Sequence, residues 1–306
     1  MIKKILLGLA VCLSAQAYGQ AVDQKKLLTD VEVLSSDVYE GRKTGTRENQ
    51  MAAEYIEARF KSLGLKAYRT GYRHPFTFRD RSGKSVDGRN VVGYIRGKSK
   101  DAIVVTAHYD HVGIQKGLIY NGADDNASGV AALMAFAEYF SKNRPEKTII
   151  FAALDAEESG LQGAKAFVAD PPVKLARILV NINMDMISHN DKGELYVAGA
   201  FPYPHLKPYL LTTNPRIKVL QGHDDPKLGH DDWTNQSDQG AFHARKIPFL
   251  YFGVEDHKDY HRPTDEYSRI NKTFYVDAAN AILEIINNVD KNITAQKHFR
   301  DRLIMN

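Results

Sequence analysis

The chain has 306 residues, 43% of them hydrophobic and 25% charged, with a formal net charge of +4 and a single cysteine. Such a composition supports a globular protein with a sizeable core and leaves no disulfide to hold it. Basic and acidic residues are interspersed rather than clustered, which argues against a nucleic-acid surface.

Residues 1–19 read as an export signal. Lys3 and Lys4 make a basic start, residues 5–13 an apolar stretch too short to span a bilayer, and Ala15-Gln16-Ala17 or Ala17-Tyr18-Gly19 a small-residue cleavage site. Cleavage before Gln20 would leave 287 of the 306 residues and a net charge of +2. The mature chain is therefore expected in the periplasm or outside the cell. Cys12 follows Leu9-Ala10-Val11, a faint lipoprotein pattern, but the bulky Val11 argues against acylation. Residues 20–306 read as a single domain, and no later apolar run is long enough to span a membrane.

Apolar residues at helical spacing predict helices over residues 23–34 and 48–63, the second stopped by Gly64. The polar stretch 70–89, with Gly71, Pro75, Gly83 and Gly88, is expected to form a hairpin or an insert over the sheet edge. From Asn90 on, predicted strands over 91–95, 103–107, 147–154, 177–182 and 248–252 alternate with helices over 128–140, 161–168, 236–245 and 272–289. That alternation predicts a largely parallel sheet covered by helices, with an active site beyond the carboxyl ends of its strands. Gly222-His223-Asp224-Asp225 is echoed by Gly229-His230-Asp231-Asp232, too short an echo for duplication, and reads as a solvated acidic loop.

Five candidate metal ligands stand in short motifs: His108 in Ala107-His108-Tyr109-Asp110, Asp125 in Gly122-Ala123-Asp124-Asp125-Asn126, Glu158 in Asp155-Ala156-Glu157-Glu158-Ser159-Gly160, Asp185 in Asn183-Met184-Asp185-Met186, and His261 in Tyr260-His261-Arg262-Pro263-Thr264-Asp265. All but Asp125 follow a predicted strand, and Asp125 lies just ahead of the 128–140 helix. Two imidazoles and three carboxylates suit two zinc ions, and such ligands also accept cobalt or manganese. Singly, each residue has a plainer reading as a core histidine, a helix cap or a solvated turn charge. Five together favour a metal site. The adjacent Glu157 and Glu158 need not face the same way, so one can ligate while the other holds water. His111 reads as a loop residue.

These five blocks, in this order within residues 90–270, resemble the M28 family of zinc peptidases, the aminopeptidase group with a two-zinc site. The resemblance implies an α/β fold, a three-layer α/β/α sandwich with a mixed, mainly parallel central sheet. It also implies that Asp125 bridges both ions, that His108 and Asp185 complete one, and that Glu158 and His261 complete the other. Glu157 would be the general base, taking a proton from a metal-activated water and passing it to the leaving amine. Asp110 would accept a hydrogen bond from the His108 nitrogen turned away from the metal. Tyr260 would stabilise the oxyanion, and Asp238, in Gln236-Ser237-Asp238-Gln239, is similar to an acidic residue near the family's site.

The expected activity is that of a zinc-dependent exopeptidase removing N-terminal residues from peptides, whose cationic α-amino group suits a carboxylate-rich site. Glutaminyl cyclase, which resembles the family in fold and uses one zinc, is a second reading. His108 favours a second ion and hence peptide hydrolysis. A carboxypeptidase, another zinc amidohydrolase and a non-catalytic binding protein on the same fold complete the alternatives. Phe201, Tyr203, Trp233 and Phe242 are candidates for pocket walls or for core.

Overall fold

Asp23 accepts the Lys26 amide at 3.1 Å and caps helix α1 (Gln24–Leu34), and Thr46 does the same for α2 (Arg47–Ser62). Gly64, at φ +72°, turns the chain out of α2 as its position in the sequence predicts. The computed structural model describes residues 22–294; the export segment read over 1–19, with Cys12, lies outside them. No helix among the described residues is long and apolar enough to cross a membrane.

After the short β1 (Lys66–Ala67), the turn-rich stretch is indeed a hairpin. Its strands β2 (Arg73–Arg79) and β3 (Ser85–Ile95) pair antiparallel at one side of the sheet. There follow β4 (Ala102–His108), a small β5–β6 ribbon (Gly113–Gln115, Leu118–Tyr120), α3 (Gly129–Lys142), β7 (Thr148–Leu154), α4 (Gln162–Ala169) and β8 (Ile178–Met184). β9 (Glu194–Ala198), β10 (Lys218–Gln221), α5 (Gln239–Ala244), β11 (Phe249–Gly253) and α6 (Lys272–Asn292) complete the chain. The large sheet runs β1-β3-β7-β4-β8-β11-β9-β10, with β2 beside β3. Its centre, β7-β4-β8-β11, is parallel, while the flanking pairs β3/β7 and β11/β9 are antiparallel. The sheet is thus mixed, as expected, with the parallel strands in its middle.

Alternation along the central strands divides the core into two layers. Ile103, Val105, Ile149, Phe151 and Ile182 face α1, α2, α3 and α6, while Ala102, Val104, Ile150, Ala152 and Leu154 face α4 and α5. Both faces are covered, so β4, β7 and β8 are buried along their whole length and are predominantly apolar, with Thr106 of β4 hydrogen-bonded to Asn181 and Asn183 of β8. β9 and β10 have no counterpart among the sequence predictions. They are only five and four residues long, and β10 is partly exposed throughout, so no apolar run marks them.

The α1–α3 seam carries a titratable device. Glu138 on α3 is 7% exposed and receives Lys26 Nζ at 2.6 Å, Lys142 Nζ at 2.7 Å and Arg59 at 3.4 Å. Burial opposes its charge, but the two lysines win and lower its pKa from 4.5 to about 2. A depressed carboxylate contributes stability above pH 4.5 that is lost as pH falls towards 2. Glu138→Gln is expected to lower unfolding stability by about 1–2 kcal/mol at neutral pH. The gap to wild type should close below about pH 3, read by denaturant melts of the metal-free chain across that range.

Candidate metal centre

β4 and β8 are parallel neighbours with Thr106 opposite Asn183, so their carboxyl ends coincide and bring His108 level with Asp185. His108 Nε2 lies 3.1 Å from Asp185 Oδ1. Asp125 sits in the irregular turn Ala123–Ser128 that leads into α3, and its two oxygens point to different partners. Oδ1 is 3.4 Å from His108 Nε2, and Oδ2 is 3.0 Å from His261 Nε2. Glu158, four residues past β7, brings Oε1 within 3.3 Å of the same His261 nitrogen. Two donor groups result, and they share Asp125: His108, Asp125 and Asp185 make one, and Asp125, Glu158 and His261, joined by His111, make the other.

Several buried groups hold these loops in place. Arg42, fully buried, donates to the carbonyls of Leu34 (2.6 Å), Tyr109 (2.8 Å), Asn121 (2.6 Å) and Gly122 (2.9 Å), tying together the two segments on either side of the β5–β6 ribbon. The cost of burying it shows in a guanidinium pKa lowered to about 10. Asp265 accepts the amides of Asp124 (2.9 Å) and Asp125 (3.0 Å), which fixes the backbone at the shared carboxylate. Burial and the nearby Asp124 push Asp265 up to about 7. Asp155 accepts Thr44 Oγ1, Asn49 Nδ2 and the Arg89 amide, anchoring the turn that carries Glu157 and Glu158. Ala156, Met186 and His261 all have positive φ, a concentration of backbone strain beside candidate ligands that fits a functional site.

Glu157 and Glu158 do face different ways. Glu158 turns to His111 and His261, which hold its carboxyl well below the usual range against the cost of burial. Glu157 belongs to neither donor group. Burial drives its pKa well up, with His108 opposing and Asp185, Asp238 and Glu158 adding to the rise. Asp238 is fully buried, and neither of its oxygens has a hydrogen-bond partner among the described residues. Burial pushes it up to about 7, with Asp185 adding to the rise and His108 opposing. Asn183 fixes it from both sides by donating to Ser237 Oγ at 3.0 Å and Gln239 Oε1 at 2.9 Å. Tyr260 stacks on His261 with ring centroids 4.1 Å apart. Its phenol is raised well above its ordinary value by burial and by Asp125 and Asp185, which keeps it a proton donor at neutral pH.

Three expectations need correction. His108 Nδ1 is 3.1 Å from the carbonyl oxygen of Asp110 and 3.7 Å from its carboxylate, so the backbone, not the side chain, orients this imidazole. The Asp110 carboxylate is already taken by the amides of Glu157 (3.0 Å) and Glu158 (3.3 Å). The 222–232 segment is not simply a solvated acidic loop. His223 and Asp224 are buried, His223 stacks on Trp233 at 3.7 Å, and Asp224 accepts the amides of Gly199 and Phe201. His111 lies in a loop as expected, but the loop folds its ring into the cluster, 2.8 Å from Glu158 Oε1. Its spacing of three residues from His108 was the available signal.

The donor groups open on a cavity of about 370 Å³. Asp256, Tyr251, Tyr260 and Trp233 line it, and Arg81 reaches it from the turn of the β2–β3 hairpin. Of the four aromatic residues read as candidates for pocket walls, Trp233 alone lines this cavity; Phe242 is core, Tyr203 packs beside Phe249 and His243, and Phe201 is 55% exposed. A zinc ion fits the residues present. Nitrogen and carboxylate donors converge, and Glu158 Oε1 is buried with no hydrogen-bond partner among the described residues, as an atom reserved for a cation would be.

A family model described as peptidase family M28 matches residues 90–286. The alkaline phosphatase isozyme conversion protein of Escherichia coli is 31% identical over 170 residues, covering 50% of this chain and 49% of that protein. Aminopeptidase YwaD of Bacillus subtilis is 28% identical over 228 residues, covering 69% of this chain and 48% of its own length. The chain thus spans about half the length of these curated relatives. Among solved structures, an aminopeptidase from Aneurinibacillus superposes with a TM-score of 0.71 at 17% identity, covering 87% of this chain and 94% of that one. A glutaminyl cyclase from Bacteroides thetaiotaomicron gives 0.70 at 19% identity, covering 87% and 98%. At these identities the structural likeness speaks for the α/β fold.

Proposed function

The chain belongs to peptidase family M28, and on that premise we propose that it is an exported zinc-dependent aminopeptidase. The observation that carries the two-ion part of this reading is the divergence of the Asp125 oxygens, one towards His108 and Asp185, the other towards His261 and Glu158. When bound, a pair of ions would supply Lewis acidity and a water of lowered pKa. Glu157, outside both donor groups and raised in pKa, would take a proton from the attacking water and return it to the leaving amine. The Tyr260 phenol would donate to the oxyanion that forms as the carbonyl is attacked. Asp125, Glu158 and Asp185 would offset the cationic charge of bound metal. Asp256 remains as a carboxylate on the cavity wall for a substrate ammonium group, which favours a peptide amino end.

The test is mass spectrometry of a defined peptide mixture with N-acetylated copies, incubated with the purified chain with and without a chelator. Chelator-sensitive stepwise loss of N-terminal residues from free but not acetylated peptides is expected. Shortening from the carboxyl end would turn the assignment to a carboxypeptidase. Loss of ammonia from N-terminal glutamine without cleavage would turn it to a cyclase.

A further inference from the structure

We infer that His111 is a sixth metal ligand, completing a four-residue set with Asp125, Glu158 and His261. The inference rests on the two-ion reading and assigns a residue to one of its ions. His111 is 1% exposed, and its loop is seated by the Arg42 carbonyl, which accepts its amide at 3.4 Å. Its Nδ1 is 2.8 Å from Glu158 Oε1 and 3.7 Å from Asp125 Oδ2. The corresponding distances from His261 Nε2 are 3.3 and 3.0 Å, so the two imidazoles converge on the same pair of oxygens.

The short contact is not a hydrogen bond. His111 Nδ1 and Glu158 Oε1 both lack a hydrogen-bond partner among the described residues, as does His111 Nε2. A histidine buried for packing alone would leave two idle nitrogens out of water, which is costly. Two donor atoms aimed at a common point rather than at each other are what a cation between them requires. Ligands about 2.0–2.2 Å from zinc at the tetrahedral angle lie about 3.4 Å apart, within the 2.8–3.7 Å spread of the four contacts made by the two imidazoles.

The backbone is shaped to admit this ring. Gly122 has φ +58°, and a Cβ there would fall 2.6 Å from His111 Cδ2 and 2.0 Å from the Asp125 carbonyl oxygen. A side chain at residue 122 would therefore displace the His111 ring and the Asp125 backbone together.

The two ions then differ in kind. The set containing His111 has four protein residues, enough to fill a tetrahedron, whereas His108, Asp125 and Asp185 make three and leave a position open. The open position is on the side whose His108 and Asp185 act on Glu157. The four-residue set should bind its ion more tightly.

Zinc titration of the metal-free full chain against a competing chelator tests this. Two ions of unequal affinity are expected for wild type, with His111→Ala weakening the tighter one by more than about a hundredfold, beyond the 10–100-fold that loss of an outer-shell partner costs. Cobalt absorption at that position should change as well. Two ions in wild type with affinities and cobalt spectrum unchanged in the variant would overturn the ligand role while leaving the two-ion reading intact. A smaller loss with an unchanged spectrum would also overturn it, making His111 a positioning residue. Fewer than two ions in wild type would overturn both readings. Should the alanine variant fail to fold by circular dichroism, His111→Asn keeps a comparable polar volume and is read the same way.

Discussion

Asp125→Ala is expected to empty the position held by His108 and Asp185, to weaken the other, and to abolish peptide hydrolysis, the largest functional loss any single substitution here should cause. Each donor group has this carboxylate in common, with Oδ1 turned to His108 and Oδ2 to His261. Without it the first group keeps only His108 and Asp185, too few to hold zinc against water. The second keeps Glu158, His261 and His111, three donors that can still hold an ion, but more weakly for want of the charge that faces both imidazoles. The fold itself should survive, because Asp265 holds this turn through the backbone amides of Asp124 and Asp125, not through the lost side chain. The check is metal content by mass spectrometry after gel filtration, alongside circular dichroism. A folded variant that retains two ions would sink the bridging role.

The architecture was legible because both faces of the central sheet are covered. That burial writes β4 and β7 as largely apolar runs, β8 as an apolar stretch broken by Asn181 and Asn183, and the helices between them at their own period. The candidate ligands were legible because four of them fall at or beyond strand ends, where polar residues interrupt an apolar pattern. What stayed hidden is what acts through the backbone. Arg42 looks from sequence like any surface arginine, yet it is fully buried and binds four carbonyls from three segments of the chain. Asp265 lies in a quoted motif, but its work is on amides some 140 residues away. Asp110 was singled out for its place beside His108, and the role it fills, holding the Glu157 and Glu158 amides, depends on a turn from another strand. His111 was hidden by the same circumstance, since only the folded loop reveals that Gly122 makes room for its ring.

Glu157→Gln should separate catalysis from metal binding. Glu157 is adjacent in sequence to a candidate ligand but lies in neither donor group, so its carboxylate is free for proton transfer. Glutamine keeps the size of the side chain and leaves the residue 157 amide on Asp110, so the turn carrying Glu158 should hold its shape. It cannot accept a proton at neutral pH, and kcat should fall at least about a hundredfold, the contribution of a positioned general base. KM and zinc content should change little. The pH profile adds an independent readout. Burial and the carboxylates of Asp185, Asp238 and Glu158 raise the Glu157 pKa, and a base must be deprotonated to act, so wild-type kcat should climb with pH through an acidic limb. The residual activity of the variant should lack that limb. Parallel loss of zinc and activity would make Glu157 a ligand instead, and a limb that persists unchanged would move the base to another carboxylate, with Asp238 the nearest candidate by its influence on Glu157.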